Sequence, residues 1–353
     1  MKAAKFIGST HVEYVDVSEP QIKCDDELKI KVHYCGICGS DLSAYKVGDT
    51  VEENTPIDDR PFTHGHEFSG VVVEIGKSVS NFKVGDRVTG EPLLSCGECE
   101  ACKAGYYNAC EHVSGLGYGA NGAFAEYLVM KEESVHHIPD TIDDVLATLI
   151  EPSAVSYGAV ADSGIKQGDV CVVFGVGPIG IMAMQAANAF GARMCVCVDI
   201  SDDRLAVAKK MGATHTINSL KEDPVKRIKE LTGNGCDIAI EAAGTEITFN
   251  QALECLKSHG QMQCVAMYYK PITINDPYSF NNKELTLRMS QSAYIKGRFE
   301  KVIDLIAKGV LYPGELVSKI IDLDELDQGM KELINNKSLY KVVVRCDKTS
   351  FSR

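Results

Sequence analysis

The sequence predicts an α/β protein in two parts, an all-β portion followed by a doubly wound parallel sheet. Three observations carry this. From Met1 to about Pro139 short runs alternate apolar and polar residues at period two, as half-buried strands do. From Val170 onward, apolar strand-like runs alternate with helical patterns, the rhythm of a parallel sheet with helices on both faces. Between the first of those strands and its helix lies a glycine-rich loop, Gly175 to Gly180. The chain has 353 residues, more than the ~100–200 of a usual domain.

In the first part, Leu28 to Tyr34 alternates strictly, and Gly70 to Gly76 is an apolar run bounded by glycines. Such short strands suit an all-β barrel or sandwich. The character shifts near Thr148, and Ser163 to Gly168 read as a linker-like turn. Val170 to Phe174 then reads as a buried strand, Ile179 to Phe190 as a helix, Arg193 to Val198 as a strand and Asp203 to Met211 as a helix. Strands follow at Cys236 to Ile240 and Gln261 to Val265, with a helix from Ile247 to Lys257 between them. The tail from about Met289 carries a helix, Phe299 to Lys308, and ends in a strand, Lys341 to Val344. The expected division is residues 1–150, 151–288 and 289–353, with no internal repeat or low-complexity tract.

Composition excludes several classes of function. Hydrophobic residues make up 45% of the chain, and no run approaches the ~18 consecutive apolar residues of a membrane span. A net charge of −13 opposes nucleic-acid binding, whose footprint is basic. The start, Met1 to Phe6, lacks the apolar segment of a signal peptide, so the cytoplasm is expected. Fourteen cysteines there imply reduced thiols and metal ligands rather than a disulfide framework.

Four of those cysteines form the strongest motif. Cys96, Cys99 and Cys102 stand at CxxCxxC spacing, and Cys110 follows eight residues later. Four thiolates so spaced can surround one tetrahedral ion, and zinc is the expected occupant. The loop from Lys103 to Ala109 has no apolar periodicity, so metal rather than a core must hold it. Disulfides would need an oxidising compartment, and the cysteine–proline run of bacterial ferredoxins is absent. Four protein ligands close a site, which makes this zinc structural.

The loop Gly175-Val176-Gly177-Pro178-Ile179-Gly180 has the strand-to-helix context that a GxGxxG motif requires. Glycines let the backbone approach a pyrophosphate, which rests on the positive end of the helix. Asp199 stands 19 residues after Gly180, where a carboxylate accepts hydrogen bonds from the adenosine ribose and repels a 2′-phosphate. NAD is therefore expected over NADP, with Arg204 leaving room for a relaxed choice.

A second metal site is suggested by Cys35-Gly36-Ile37-Cys38-Gly39-Ser40-Asp41 and by His64-Gly65-His66-Glu67. Mixed Cys, His and carboxylate ligands leave a position open on zinc, which then acts as a Lewis acid toward an alcohol that yields hydride to nicotinamide. Spacing alone does not choose between Cys35 and Cys38, or between His64 and His66.

The order of Cys38-Gly39-Ser40-Asp41, Gly65-His66-Glu67, the cysteine lobe, Glu151-Pro152 and the Gly175 to Gly180 loop resembles the zinc-dependent medium-chain dehydrogenase/reductase family over nearly the whole chain. It is most similar to the polyol branch of sorbitol, galactitol-phosphate and butanediol dehydrogenases. The resemblance implies a GroES-like β-barrel catalytic domain, completed by the tail, and a Rossmann domain inserted between. It implies a catalytic zinc on Cys38, His66 and Glu67, the last bound directly or through water. Glu151 matches the carboxylate that stands in this branch where ordinary alcohol dehydrogenases have a third-ligand cysteine. Ser40 matches the hydroxyl that bonds the substrate oxygen and passes on its proton, and Cys96, Cys99, Cys102 and Cys110 match the structural zinc lobe. Homodimers or homotetramers are implied.

Departures from the family bear on substrate. Ser43 stands where many alcohol dehydrogenases carry a relay histidine, so the proton is expected to leave through water. Tyr45 and Phe124 are candidates to line the pocket. Met289 to Tyr294 lacks the arginine with which sorbitol dehydrogenases contact the polyol, while Lys296 and Arg298 lie close by for an anionic substrate group. The expected activity is oxidation of a secondary hydroxyl of a polyol, diol or sugar derivative by NAD. The alternatives are an amino alcohol such as threonine or a primary alcohol, and, from a different class, a silent nucleotide-binding or redox-sensing protein.

Overall fold

The computed structural model describes residues 1–48, 63–291 and 297–348. The chain forms two compact units. The first comprises Met1–Glu151, Tyr294–Ala307 and Pro313–Arg353, and the second Pro152–Ala293 and Lys308–Tyr312. No helix among the described residues is long and apolar enough to cross a membrane.

The first unit begins with strands β1 (Lys2–Phe6), β2 (Val12–Asp16) and β3 (Glu27–Gly36), followed by helix α1 (Gly39–Val47). Next come β4 (Glu67–Ile75), β5 (Arg87–Gly90), β6 (Leu93–Leu94) and the single-turn helix α2 (Glu100–Lys103). Strands β7 (Ser114–Leu116), β8 (Gly119–Ala120), β9 (Tyr127–Lys131) and β10 (Val135–His137) lead to α3 (Asp144–Ala147). Helix α4 (Ile150–Asp162) crosses from one unit to the other. It is apolar on most sides, so its sequence offers no amphipathic period, and its Pro152 sits in the first turn, where a missing N–H costs nothing.

In the second unit, β11 (Val170–Phe174), α5 (Pro178–Ala189), β12 (Met194–Asp199), α6 (Asp202–Lys210), β13 (His215–Asn218), α7 (Pro224–Thr232), β14 (Cys236–Glu241), α8 (Glu246–Glu254), β15 (Leu256–Cys264), α9 (Pro277–Asn282) and β16 (Thr286–Met289) follow in order. They build a six-stranded parallel sheet in the order β13-β12-β11-β14-β15-β16. All five residues of β11 are buried, as expected for a strand covered on both faces. Helix α6 shows how local chemistry sets an element: the Ser201 side chain caps its start, Asp202 and Asp203 occupy the first turn, and Lys209 and Lys210 the last. The helix expected from Ile247 to Lys257 ends at Glu254. Cys255 caps it, and Leu256 already pairs with Cys236 in the sheet, because tertiary pairing overrides the helical period there.

The tail supplies α10 (Arg298–Ala307), β17 (Val317–Asp322), α11 (Leu326–Asn335) and β18 (Lys341–Arg345). Strands β17 and β18 join the first unit's main sheet, whose order is β10-β5-β4-β3-β18-β17, with β9 also pairing β3. All its pairs are antiparallel except β17 with β18. Among the described residues no strand pair joins the two ends of this path. Its core gathers Phe6, Ile30, Phe68, Leu128 and Val344, among others.

Candidate active site

Register in the main sheet assembles the first candidate metal site. Strands β3 and β4 pair so that Gly36 faces Glu67, which brings the residues after β3 beside those before β4. Ligand atoms of Cys38, His66 and Glu67 consequently all lie within 4.8 Å of one another. A Cβ on Gly36 would stand 2.4 Å from Glu67 Oε2, so only glycine lets the strands meet there with the carboxylate in place. Gly65 is constrained as well: it holds φ +89°, and a Cβ would stand 2.9 Å from both Cys35 Sγ and the Phe124 ring.

Asp41 ties the two segments together. As the third residue of α1, it accepts a hydrogen bond from Cys38 N at 2.8 Å through Oδ2. Its Oδ1 accepts from Gly65 N at 3.3 Å and lies 3.8 Å from His66 Nδ1. At that distance the carboxylate acts on the imidazole through its charge rather than through a hydrogen bond. Burial alone would pull the His66 pKa down, yet Cys38, Asp41 and Glu151 hold it well above 6.5. That concentration of negative charge around a thiolate, an imidazole and a carboxylate fits a bound divalent cation, and the donor types fit zinc.

The structure separates the pairs that spacing left open. Cys38 and His66 are in the cluster. Cys35 is fully buried in the core, its thiol pushed far up by burial, and His64 stacks on Phe6 with ring centroids 4.1 Å apart. Glu67 is fully buried, and both its oxygens accept from Lys341 Nζ, at 2.6 and 2.5 Å. Lys341 also donates to Ile37 O at 3.1 Å. Burial would lower the ammonium pKa, but Glu67 and Cys38 raise it, so Lys341 stays charged. Sequence reasoning missed Lys341; the available signal was a cation directly before the apolar run Val342 to Val344 of β18. Glu151, buried in the first turn of α4, is outside the 4.8 Å group, although its charge reaches His66 and Lys341.

Ser40 is exposed in the first turn of α1. Ser43, one turn on, donates to Gly39 O at 3.1 Å. The expectation that Tyr45 and Phe124 line a pocket is corrected. Tyr45 is 1% exposed in the core, with its hydroxyl donating to Thr10 O at 2.7 Å and to Asp327 Oδ1 at 2.9 Å. Phe124 is fully buried beneath Gly65. Both are aromatic groups consumed by packing. Lys296 and the stretch from Ser292 to Tyr294 lie outside the described residues; Arg298 is the half-buried first residue of α10.

The second candidate metal site is the cysteine lobe. The sulfurs of Cys96, Cys99, Cys102 and Cys110 all lie within 4.8 Å of one another. All four are free thiols, and the sulfurs of Cys96 and Cys110 lie 3.6 Å apart, well beyond the ~2.05 Å of a disulfide. Backbone N–H groups of Cys96, Cys99, Cys102 and His112 point at these sulfurs, 3.3 to 3.5 Å away. Amides from Cys102 and Glu111 bring the Cys99 thiol down to about 6, whereas burial and the adjoining thiols push Cys102 up to about 12. Four sulfurs so crowded cannot all ionise without a cation among them, and four soft ligands in this arrangement fit zinc.

The cofactor loop belongs to the second unit. Gly175 follows β11 with φ +86°, and its missing Cβ would stand 2.9 Å from Ala243 N. A Cβ on Gly180 would stand 1.9 Å from Gly175 O, so this glycine permits the tight approach of helix to loop. Gly177 is the N-cap of α5 and Pro178 opens the helix, with Ile179 behind it. Backbone amides of the first turn after Pro178 have no intrahelical acceptor, which suits a phosphate site. Asp199 ends β12. Its Oδ2 accepts from Val176 N at 2.9 Å, and its Oδ1 from Ile200 N and Ser201 N at 2.8 and 3.0 Å. Three donors leave about one of a carboxylate's four acceptor sites for a ribose hydroxyl. The Arg204 guanidinium lies near Gly177.

Comparison with known proteins adds independent findings. The family model described as "Alcohol dehydrogenase GroES-like domain" matches residues 24–140, and that described as "Zinc-binding dehydrogenase" matches residues 178–308. The chain is 36% identical over 344 residues to the sorbitol dehydrogenase of Bacillus subtilis (strain 168), covering 96% of this chain and 95% of that one. To the (R,R)-butanediol dehydrogenase of the same strain it is 37% identical over 352 residues, covering 98% and 99%. The crystal structure of a 2R,3R-butanediol dehydrogenase from Bacillus subtilis matches with a TM-score of 0.88 at 36% identity, covering 98% of this chain and 99% of that one.

Proposed function

The chain belongs to the zinc-dependent medium-chain dehydrogenase/reductase family, in its polyol branch, and on that premise we propose that it oxidises a secondary hydroxyl of a polyol, diol or sugar derivative to a ketone with NAD. The observation that carries the reading is the convergence of Cys38, His66 and Glu67 within 4.8 Å in a chain that also holds the Gly175 to Gly180 loop. Cys38 and His66, with Glu67 and Glu151 as the carboxylates, would hold a zinc ion, which would supply Lewis acidity toward the substrate oxygen. Asp41 stands 3.8 Å from His66 Nδ1, and Lys341 fixes the carboxylate of Glu67. Ser40 accepts the hydroxyl proton and passes it to water, Ser43 offering no imidazole relay. With the proton so removed, bound NAD would take the hydride of the carbinol carbon, giving a ketone and NADH. In the second unit, Gly175, Gly177, Pro178, Ile179 and Gly180 hold the pyrophosphate and Asp199 the adenosine ribose, favouring NAD over NADP. Cys96, Cys99, Cys102 and Cys110 hold a second, structural zinc. The same reading includes a cytoplasmic homodimer or homotetramer.

A panel of polyols, diols, threonine and primary alcohols, assayed by NADH formation with NAD or NADP and with or without chelator, tests this. Chelator-sensitive turnover of a secondary polyol or diol is expected. Turnover confined to threonine or to primary alcohols sinks the substrate class. No turnover, together with a single zinc per chain, sinks the enzyme reading.

A further inference from the structure

An open parallel sheet takes its ligand at the carboxyl ends of its strands, in the crevice where the chain reverses its progress across the sheet. Here the reversal falls between β11 and β14, the strands ending at Phe174 and Glu241. Glu241 has register partners Phe174 on β11 and Cys264 on β15, and it is fully buried. A carboxylate denied water must be held by donors, and Glu241 is well supplied. Its Oε1 accepts from Ala243 N at 2.9 Å, Gly244 N at 3.0 Å and Thr248 Oγ1 at 2.8 Å. Its Oε2 accepts from Gly244 N at 3.2 Å and from the Tyr268 hydroxyl.

These donors come from separate pieces of chain. Ala243 and Gly244 lie in the loop after β14, Thr248 in the first turn of α8, and Tyr268 in the loop after β15. The two loops touch: Gly244 holds φ +72°, and a Cβ on it would stand 3.2 Å from Met267 O and 3.3 Å from Ala266 Cβ. Gly175 abuts the same surface at Ala243. Glu241 is thus the common anchor of the loops flanking the glycine loop on the side away from Asp199. An amide could tie one loop with less desolvation cost than a buried charge, so a full carboxylate bridging two loops calls for a reason.

A dinucleotide with its adenosine ribose at Asp199, on the β12 side, and its pyrophosphate over Gly175 to Gly180 must extend its other half toward β14 and β15. We propose that Glu241 and Tyr268 are positioning residues for the nicotinamide half of the cofactor, acting by locking the loops after β14 and β15 into one surface. This rests on the dinucleotide reading above.

The test uses the full-length, zinc-loaded protein with Tyr268→Phe and, separately, Glu241→Gln. Two probes are titrated by calorimetry: NADH, and ADP-ribose, which lacks only the nicotinamide. ADP-ribose affinity is expected to stay within about twofold of the parent, while NADH weakens about tenfold, the scale of one lost hydrogen bond to a charged group. A general folding role would weaken both probes alike. Equal weakening, or no weakening of NADH, overturns the proposal. Tyr268→Phe keeps the ring and decides the matter if Glu241→Gln does not fold. If the parent binds neither probe, the dinucleotide reading fails and takes this proposal with it; a parent that binds both, with variants that do not split them, sinks the proposal alone.

Discussion

Lys341 and Glu67, 274 residues apart in the chain, form a buried ion pair in which one ammonium serves both carboxylate oxygens. The pair exists because β18 lies against β3 and β3 against β4, with Gly36 the residue that both neighbours face. It places a fixed positive charge immediately behind a candidate metal ligand.

Breaking this pair from one side leaves a buried charge uncompensated. Lys341→Met is expected to cost about 3–5 kcal/mol of unfolding free energy, and Lys341→Met combined with Glu67→Gln less than the two separate losses summed. Denaturant unfolding of the four proteins in the cycle measures this. Additive losses would mean that the two groups are not coupled.

The two cysteine sites are expected to separate stability from chemistry. Cys99→Ser should lower zinc content by one ion per chain and reduce the thermal midpoint before it alters the chemical step. Cys38→Ser should abolish turnover while leaving the unfolding transition near that of the parent. Metal analysis alongside calorimetry reads both, and a stable Cys99→Ser protein without hydride transfer would show the two metal roles to be reversed.

If Asp199 holds the adenosine ribose as proposed, Asp199→Ala should raise the KM for NAD far more than that for NADP, by removing both an acceptor and a charge that would repel a 2′-phosphate. The variant also frees Val176 N, so a parallel rise for both cofactors would mean that Asp199 serves only to shape the loop. Steady-state kinetics with each cofactor decides.

Acid sensitivity is expected to centre partly on Asp144. Burial pushes its carboxyl up, but His33 Nδ1 at 2.7 Å and Arg87 Nε at 2.9 Å bring the net value below the usual one. A depressed folded-state pKa contributes stability above the unfolded value, ~3.9, and loses it as pH falls through the lower folded value. The stability gap between the parent and Asp144→Asn should therefore be widest near neutral pH and shrink below about pH 4. Urea midpoints over that range test it, and a gap that widens with acid would reverse the sign.

Sequence by itself determined the features whose geometry is local. The cysteine lobe spans Cys96 to Cys110, so CxxCxxC spacing alone nearly defines its tetrahedron. The Gly175 to Gly180 loop was legible for the same reason, its turn and helix start being set by adjacent residues, and so was the β–α rhythm of β11, α5, β12 and α6. Helix α4 was not, because burial on most sides erases the amphipathic period that reveals a helix. Spacing alone did not choose Cys38 over Cys35 or His66 over His64; family resemblance pointed to Cys38 and His66, and the tertiary structure groups those two with Glu67. Cys35 lies inside β3 with its side chain in the core, whereas Cys38 caps α1 beyond the strand's end, and the pairing of Gly36 with Glu67 brings that end beside His66. The tertiary structure alone sent Tyr45 and Phe124 into the core and brought Lys341 to Glu67, since a contact across 274 residues is written in strand pairing and leaves no local pattern to read.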